Sequence, residues 1–530
     1  MEGLEERRLL AVLTDLPNAP AQELTEYTIN RNVGAVQAFT FNESESFVQM
    51  GLNDSIETAD LVPIGTGFGQ QDTVDIYGSL PVIQEQTSSG FSGDLDTFAM
   101  TLRGGDILDV AVLGAATQFI IRDLDGKVIY GSSSTSFSDN YNHEPRQTLG
   151  NATGTLVIPN DSTYSLTVAP DIVGLVNNYQ VGLRVYRPVT EELAVGDAQI
   201  IYLDFDGDVI DGNLVGLSGF QRIPSLFDSL ELMGIEAGNV EAANNIINRV
   251  IDGTVRIFED LTETGDNGDY TESSIPGEYA VRILNSRDHG GQISMSDPRL
   301  TRLMIGGSAD DINRPDVYGY AQSVDLGNFD LSEYGFFALD LFGADAQDAI
   351  DGGISPNRSQ VDFIGDFLAA VVAHEAGHVL GMAHTDGNNS TGTLSDEGAA
   401  RSIPYFQSLG PDGIYGTSDD VAPVFADDFY SVAEGFIGTN EITNTLAHLL
   451  SSGTQGGGSV SGRVFFDENL NGSSVGDGGL VGATVFADIN GDGVHTTGEP
   501  IATTGLDGTF ALSASAGVVQ LYASAPATTR

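Results

Sequence analysis

Three histidines and one glutamate carry the chemistry this sequence can do. They lie in the stretch from Ser359 to His384, SQVDFIGDFLAAVVAHEAGHVLGMAH. His374 and His378 are four residues apart, so on a helix their imidazoles project from one face a single turn apart. Gly381 follows three residues after His378, and His384 three after Gly381. A glycine that takes positive φ ends a helix with a sharp turn and can bring His384 back toward the other two. Three neutral imidazoles can hold a zinc ion at about 2.0–2.1 Å and leave a fourth position for water. Glu375 is not needed as a ligand and is placed to act as general base on that water.

The residues before the histidines mark the helix that would carry them. Ser359 with Asp362 forms an acidic capping box that starts a helix. Val361, Ile364, Leu368, Val371 and Val372 then make a 3.6-period stripe facing a core. A short HExxH match is a weak signal. Here five specified residues fall in register as HExxHxxGxxH, and three of the chain's seven histidines occupy them.

This pattern resembles that of the metzincin clan of zinc endopeptidases. The resemblance implies an α+β catalytic domain over residues 191–450, with a twisted, mostly parallel sheet and an active-site helix. Gln199–Phe205 (QIIYLDF), Tyr279–Leu284, Arg302–Ile305 and Val317–Val324 read as its strands, and Asn239–Leu261 as a helix. It also implies an edge strand, around Tyr318 to Gln322, that pairs with extended substrate. Residues 328–357 would be an insertion over the cleft. Metzincins carry a methionine in a turn beneath the zinc, and this chain has none after Met382; Leu394 or Ser395 falls at that place. Leucine can fill such a packing position. Asp386 is either an acceptor that orients His384 or a turn aspartate.

Composition bounds the partners. Asp and Glu total 75 against 21 Lys and Arg, a net charge of −54. That excludes nucleic acid and anionic membranes as expected partners and suits calcium binding through carboxylates. There is no cysteine, so disulfides, thiolate metal sites and a thiol-based latency switch are excluded. No apolar run reaches the length of a membrane span.

Around this unit the chain reads as β modules. Residues 4–11, LEERRLLA, resemble a short leader motif of exported bacterial proteins, so 1–35 is expected to be a leader or disordered segment. Residues 36–190 alternate over 96–102 and 107–113 with an RGGD turn between, the pattern of a β-sandwich. DTFAMTLRGGDILDVAVLG resembles the bacterial pre-peptidase C-terminal domain. After the glycine-rich linker 451–459, residues 460–530 form a further β domain. There Asp488, Asn490, Asp492 and Glu499 match positions 1, 3, 5 and 12 of an EF-hand loop. Asp467, Asn469, Asn471 and Asp477 make a less regular second loop. The segment resembles the calcium-binding B-type repeats of serine-aspartate surface adhesins, which have an immunoglobulin-like sandwich. The loop PDGIYGTSDDV, 411–421, with Asp412, Asp419 and Asp420, is either a further calcium loop or a solvated acidic one. His448, on a closing helix over 439–450, is expected at the surface.

The expectation is therefore a multidomain chain: an α+β metzincin-like domain flanked by two all-β sandwiches, exported or at the cell surface. Its function would be zinc-dependent hydrolysis of a protein or peptide substrate, with Zn2+ at His374, His378 and His384 and structural Ca2+ at the C-terminal loops. The alternative is a non-catalytic, calcium-dependent surface protein with a degenerate protease domain.

Overall fold

A computed structural model describes most of the chain between residues 35 and 524. Outside it lie 1–34, 45–51, 65–69, 133–149, 171–177, 188–198, 265–277, 453–457, 467–477, 489–494, 515–519, 525–530 and a few shorter gaps. The expected leader and most of the linker are among these. So are Asp467, Asn469, Asn471, Asp477, Asn490, Asp492 and Glu499.

The N-terminal part is two facing sheets. One has the strand order 35–42, 70–79, 178–187, 107–114, 152–157, and the other 60–61, 96–102, 162–170, 116–122, 128–132, 436–437. Asp96–Leu102 and Ile107–Gly114 are the two alternating runs of the sequence, separated by the glycine turn. Their inward side chains, Phe98, Met100, Leu102, Leu108, Val110 and Val112, are fully enclosed. The last strand of the second sheet, Phe436–Ile437, comes from the far side of the histidine unit in sequence, so the sandwich and that unit share a sheet.

The histidine unit is built on a five-stranded sheet, order 281–285, 199–204, 300–304, 334–337, 319–321. The first four strands run parallel. Gly319–Ala321 is antiparallel to its neighbour and forms the edge. Helices Val240–Thr264, Leu339–Gly352 and Gln360–Val379 accompany it. Between the first and third of these, Gly253 admits Ala369, whose Cβ stands 2.6 Å from where a Cβ on residue 253 would sit. Arg249 bridges the same two helices, reaching Asp366 at 2.8 Å and also Asp362.

The α+β expectation is corrected by this architecture. Strands account for 37% of the structure and helices for 23%, and the sheets are several and mixed. The reason is physical: periodicity in a sequence identifies strands but not their partners. The pairing of 436–437 with 131–132 joins units that the sequence reads as separate. Residues 328–357, expected as a loop, contain the strand Tyr334–Phe337 and the helix Leu339–Gly352. Their short aromatic run YGFFALDLF is enclosed, with Phe336, Phe337 and Phe342 fully buried.

The C-terminal part has two small sheets, one pairing Gly458–Arg463 with Thr509–Ala514. The other has the order 501–503, 484–488, 520–524. Asp488 ends the central strand, opposite Gln520. Its side chain and the other EF-hand-like positions fall outside the described residues. No described helix is long and apolar enough to cross a membrane.

Candidate metal centre

The helix Gln360–Val379 starts as its sequence requires. Asp362 N–H donates to Ser359 Oγ at 3.2 Å, and Ser359 N–H to Asp362 Oδ2 at 2.9 Å, a complete capping box. From Phe363 onward nearly every residue is enclosed, so His374, Glu375 and His378 sit on a rigid element inside the protein. Gly381 has φ of 97°, in the left-handed region, and turns the chain back. Gly377 makes room for that return: a Cβ there would lie 1.9 Å from Met382 Cε.

The turn brings the three rings together. Ring centroids are 4.5 Å apart for His374 and His378, 4.6 Å for His378 and His384, and 5.5 Å for His374 and His384. One ligand atom from each lies within 4.8 Å of the others. Among the described residues this is the one group of three or more His, Asp or Glu side chains so placed. Each Nδ1 has an acceptor: Leu394 O for His374 at 2.5 Å, Met382 O for His378 at 2.7 Å, and Glu434 Oε1 for His384 at 2.7 Å.

Those acceptors decide the tautomers. A carbonyl oxygen only accepts, so Nδ1 of His374 and His378 must carry the proton, and Nε2 is a lone pair. The two Nε2 atoms face each other at 3.0 Å. A proton between them would need an imidazolium. Burial, with His384 nearby, pushes His374 down to about 3 despite its bond to Leu394. His378 is driven well below its usual range by burial and by both other rings. His384 differs: burial pulls it down, but the Glu434 carboxylate outweighs that and holds it above the ordinary value. Its Nε2 is buried with no partner. Three buried imidazoles, each offering a nitrogen within 4.8 Å of the others, suit a borderline cation such as zinc.

Glu375 is fully buried and neither of its oxygens has a hydrogen-bond partner. Burial pushes its carboxyl well above the usual range, opposed by the backbone of Ala321. An unpaired buried carboxylate is unfavourable by several kcal/mol unless a ligand or cation offsets it. It faces the edge strand, where a Cβ on Gly319 would stand 2.5 Å from Oε1. Among the described residues no strand pairs with the outer side of Gly319–Ala321. Ala338 N–H bonds to Tyr318 O and Gln322 N–H to Tyr334 O, so the even-numbered residues point their amides and carbonyls inward. Gly319 and Ala321 therefore turn theirs away from the sheet, where the Ala321 backbone meets the Glu375 carboxyl.

The remaining expectations divide. Leu394 is fully buried in the core cluster around the helix, and its carbonyl, not its side chain, contacts His374. Ser395, also buried, lies within 3.2 Å of Thr393 Oγ1. Asp386 does not orient His384; it accepts from Asn388 N–H at 3.0 Å within its own turn. That role belongs to Glu434, fifty residues downstream of the ligand, which no local spacing in the sequence marks. In the 411–421 loop the carboxylates take the loop's own amides: Asp412 takes Ile414 N–H, Asp419 takes Asp412 N–H, and Asp420 takes Gly416 N–H. His448 is buried, not exposed, with Nε2 at 3.1 Å from Pro159 O.

No protein-family model matches the sequence, and no curated protein matches it. Solved structures align over parts of it. The periplasmic g-type lysozyme inhibitor PliG of Salmonella Typhimurium is 17% identical, over 24% of this chain and 99% of that one, with a TM-score of 0.15. The PliG of Aeromonas hydrophila is 12% identical, over 28% and 97%, with a TM-score of 0.12. The ECX AB5 holotoxin in its GM1-bound form is 12% identical, over 48% and 82%, with a TM-score of 0.20. Scores this low carry nothing about fold or site.

Proposed function

We propose that this chain is an exported zinc-dependent hydrolase of peptide bonds. The observation that carries the reading is the convergence of three buried imidazoles whose Nδ1 positions are all taken by acceptors. His374, His378 and His384 would hold the ion. Zinc supplies, when bound, an acidified water and a polarised carbonyl. Glu375 takes the proton from the attacking water and returns it to the leaving amine. The outward backbone groups of Gly319 receive the substrate backbone as an added strand, beside the Ala321 backbone that meets Glu375, a mode that binds extended peptide with little sequence demand. Calcium binding by the C-terminal module rests on the spacing of Asp488, Asn490, Asp492 and Glu499.

One observation favours a second reading, a non-catalytic surface protein: the three histidines and Glu375 are each at most 1% exposed. Metal analysis and casein cleavage separate the two. The hydrolase reading expects one bound zinc, cleavage abolished by a zinc chelator, and a Glu375→Gln variant that keeps zinc and loses cleavage. Full activity in that variant, or no zinc in the purified chain, overturns it.

A further inference from the structure

The loop that carries Glu434 is pinned at both flanks to the N-terminal sandwich. Tyr430 N–H donates to Gly438 O at 3.0 Å and closes the loop. Inside it, the 3-10 turn Val432–Glu434 is capped by Ser431, and Ser431 N–H donates to His384 O at 3.2 Å. On the other side, Phe436 and Ile437 pair antiparallel with Ser132 and Gly131. Tyr130 stacks edge-on against Tyr430 at 5.0 Å and lies 5.6 Å from Phe436. Ala383, next to the third histidine, is buried in the same apolar cluster as the sandwich core.

The fit is close enough to have steric requirements. A Cβ on Gly131 would meet Ile437 Cγ1 at 2.8 Å, and one on Gly438 would meet Ile129 O at 2.4 Å. Gly438 has φ of 112° and can be nothing bulkier without strain. The loop is also held from its own unit, by Ser431 Oγ donating to Glu397.

We infer that the sandwich is part of the metal centre: its strand Val128–Ser132 sets the position of Glu434, and through it the ring of His384, so that metal affinity depends on the docking of the two units. This rests on the zinc reading above. Glu434 is a positioning residue, touching the ligand and not the ion. Partners of this kind change metal affinity by about 10–100-fold when removed.

The test uses the full chain and zinc affinity measured by competition with a chromogenic chelator, with circular dichroism as the check on folding. Glu434→Ala is expected to weaken zinc binding about 10–100-fold; Glu434→Gln, which keeps an acceptor oxygen, falls between it and the parent. Gly131→Ala is expected to weaken binding in the same direction without touching the site. Ile437→Ala, which removes the side-chain atoms that Cβ would strike and leaves only the Phe119 carbonyl at 3.0 Å, restores most of the affinity when combined with it. Gly131→Ala adds nothing in the Glu434→Ala background, because both act through one contact. Parent-like affinity in folded Gly131→Ala, or losses that multiply in the double variant, overturns the inference. If the Gly131 variant does not fold, Tyr130→Leu carries the same expectations, since it removes the ring contacts to Tyr430 and Phe436 and adds no bulk. A parent chain that binds no zinc refutes the metal reading itself, a different outcome from a zinc protein indifferent to residue 131.

Discussion

Gly319→Ala tests whether Glu375 acts as a positioned base. The glycine lies on the edge strand directly over the glutamate. Its missing Cβ would stand 2.5 Å from Oε1, 2.6 Å from Cγ and 2.8 Å from Cδ of Glu375. Ordinary contact begins near 3.5 Å, so the carboxylate must retreat by roughly 1 Å. Displacements of about 1 Å in a reacting group lower rates by about 100-fold. The backbone itself is undisturbed, because Gly319 is not among the positive-φ glycines. Overpacking of this kind destabilises by about 1–3 kcal/mol, which a chain of this size survives. The assay is steady-state cleavage of a fluorogenic peptide, with zinc content measured in parallel. The expected result is a fall of about 100-fold in kcat with zinc retained. In a Glu375→Gln background the same substitution should leave the residual rate unchanged. Activity within a factor of about two of the parent would refute the reasoning, and so would a rise in KM at constant kcat, which would assign Gly319 to substrate pairing alone.

Two further substitutions probe the surroundings. Leu394→Met should be tolerated, at under about 1.5 kcal/mol, with full zinc content, because the buried side chain packs while its carbonyl holds His374; Leu394→Ala should lower the denaturation midpoint by the equivalent of about 2–5 kcal/mol. Burial pushes the Glu333 carboxyl well above the usual range, and Asp325 and Asp330 add to the shift against a bond from Ser323. A raised folded pKa means its contribution is full below the unfolded value of about 4.3 and is lost as pH rises through the folded one. Glu333→Gln should therefore raise the urea midpoint at alkaline pH and leave it nearly unchanged at the acid end.

Much of the centre was legible because its determinants are local. The i, i+4 histidines, the Ser359–Asp362 cap and the glycine that turns at 381 each act within one or two helical turns, and the structure shows each. The strands 96–102 and 107–114 follow from alternation for the same reason. What failed to show depends on chain segments far apart. Glu434 reaches His384 only because Phe436–Ile437 docks on a strand some three hundred residues earlier. Gly319 faces Glu375 only once the sheet has formed. The aromatic run at 334–342 is too short to have a period of its own, so its sequence does not separate strand and helix from loop. Asp386, beside the ligand in sequence, reads either as an acceptor for His384 or as a turn aspartate, and its carboxylate serves its own turn.

The tautomers give the most direct test of the centre, independent of any reaction. A buried histidine pair at 3.0 Å can be explained without a metal if one Nε2–H donates to the other Nε2. The donor ring would then present a bare Nδ1 to a carbonyl: His374 to Leu394 at 2.5 Å, or His378 to Met382 at 2.7 Å. Two acceptors at that separation repel. A doubly protonated ring avoids the clash but places a cation where burial disfavours one, which is why both pKa values are driven down. The remaining arrangement has Nδ1–H on both rings and lone pairs on the inner nitrogens. Nitrogen-15 spectra of chain labelled at histidine should accordingly show the Nδ1-protonated neutral tautomer at 374, 378 and 384 in the zinc-loaded protein, with the inner nitrogens shifting when zinc is removed. An Nε2–H at 374 or 378 in the loaded protein would mean that the inner face of that ring holds a proton and not an ion, and the three histidines would be an internal hydrogen-bond network instead of a metal centre.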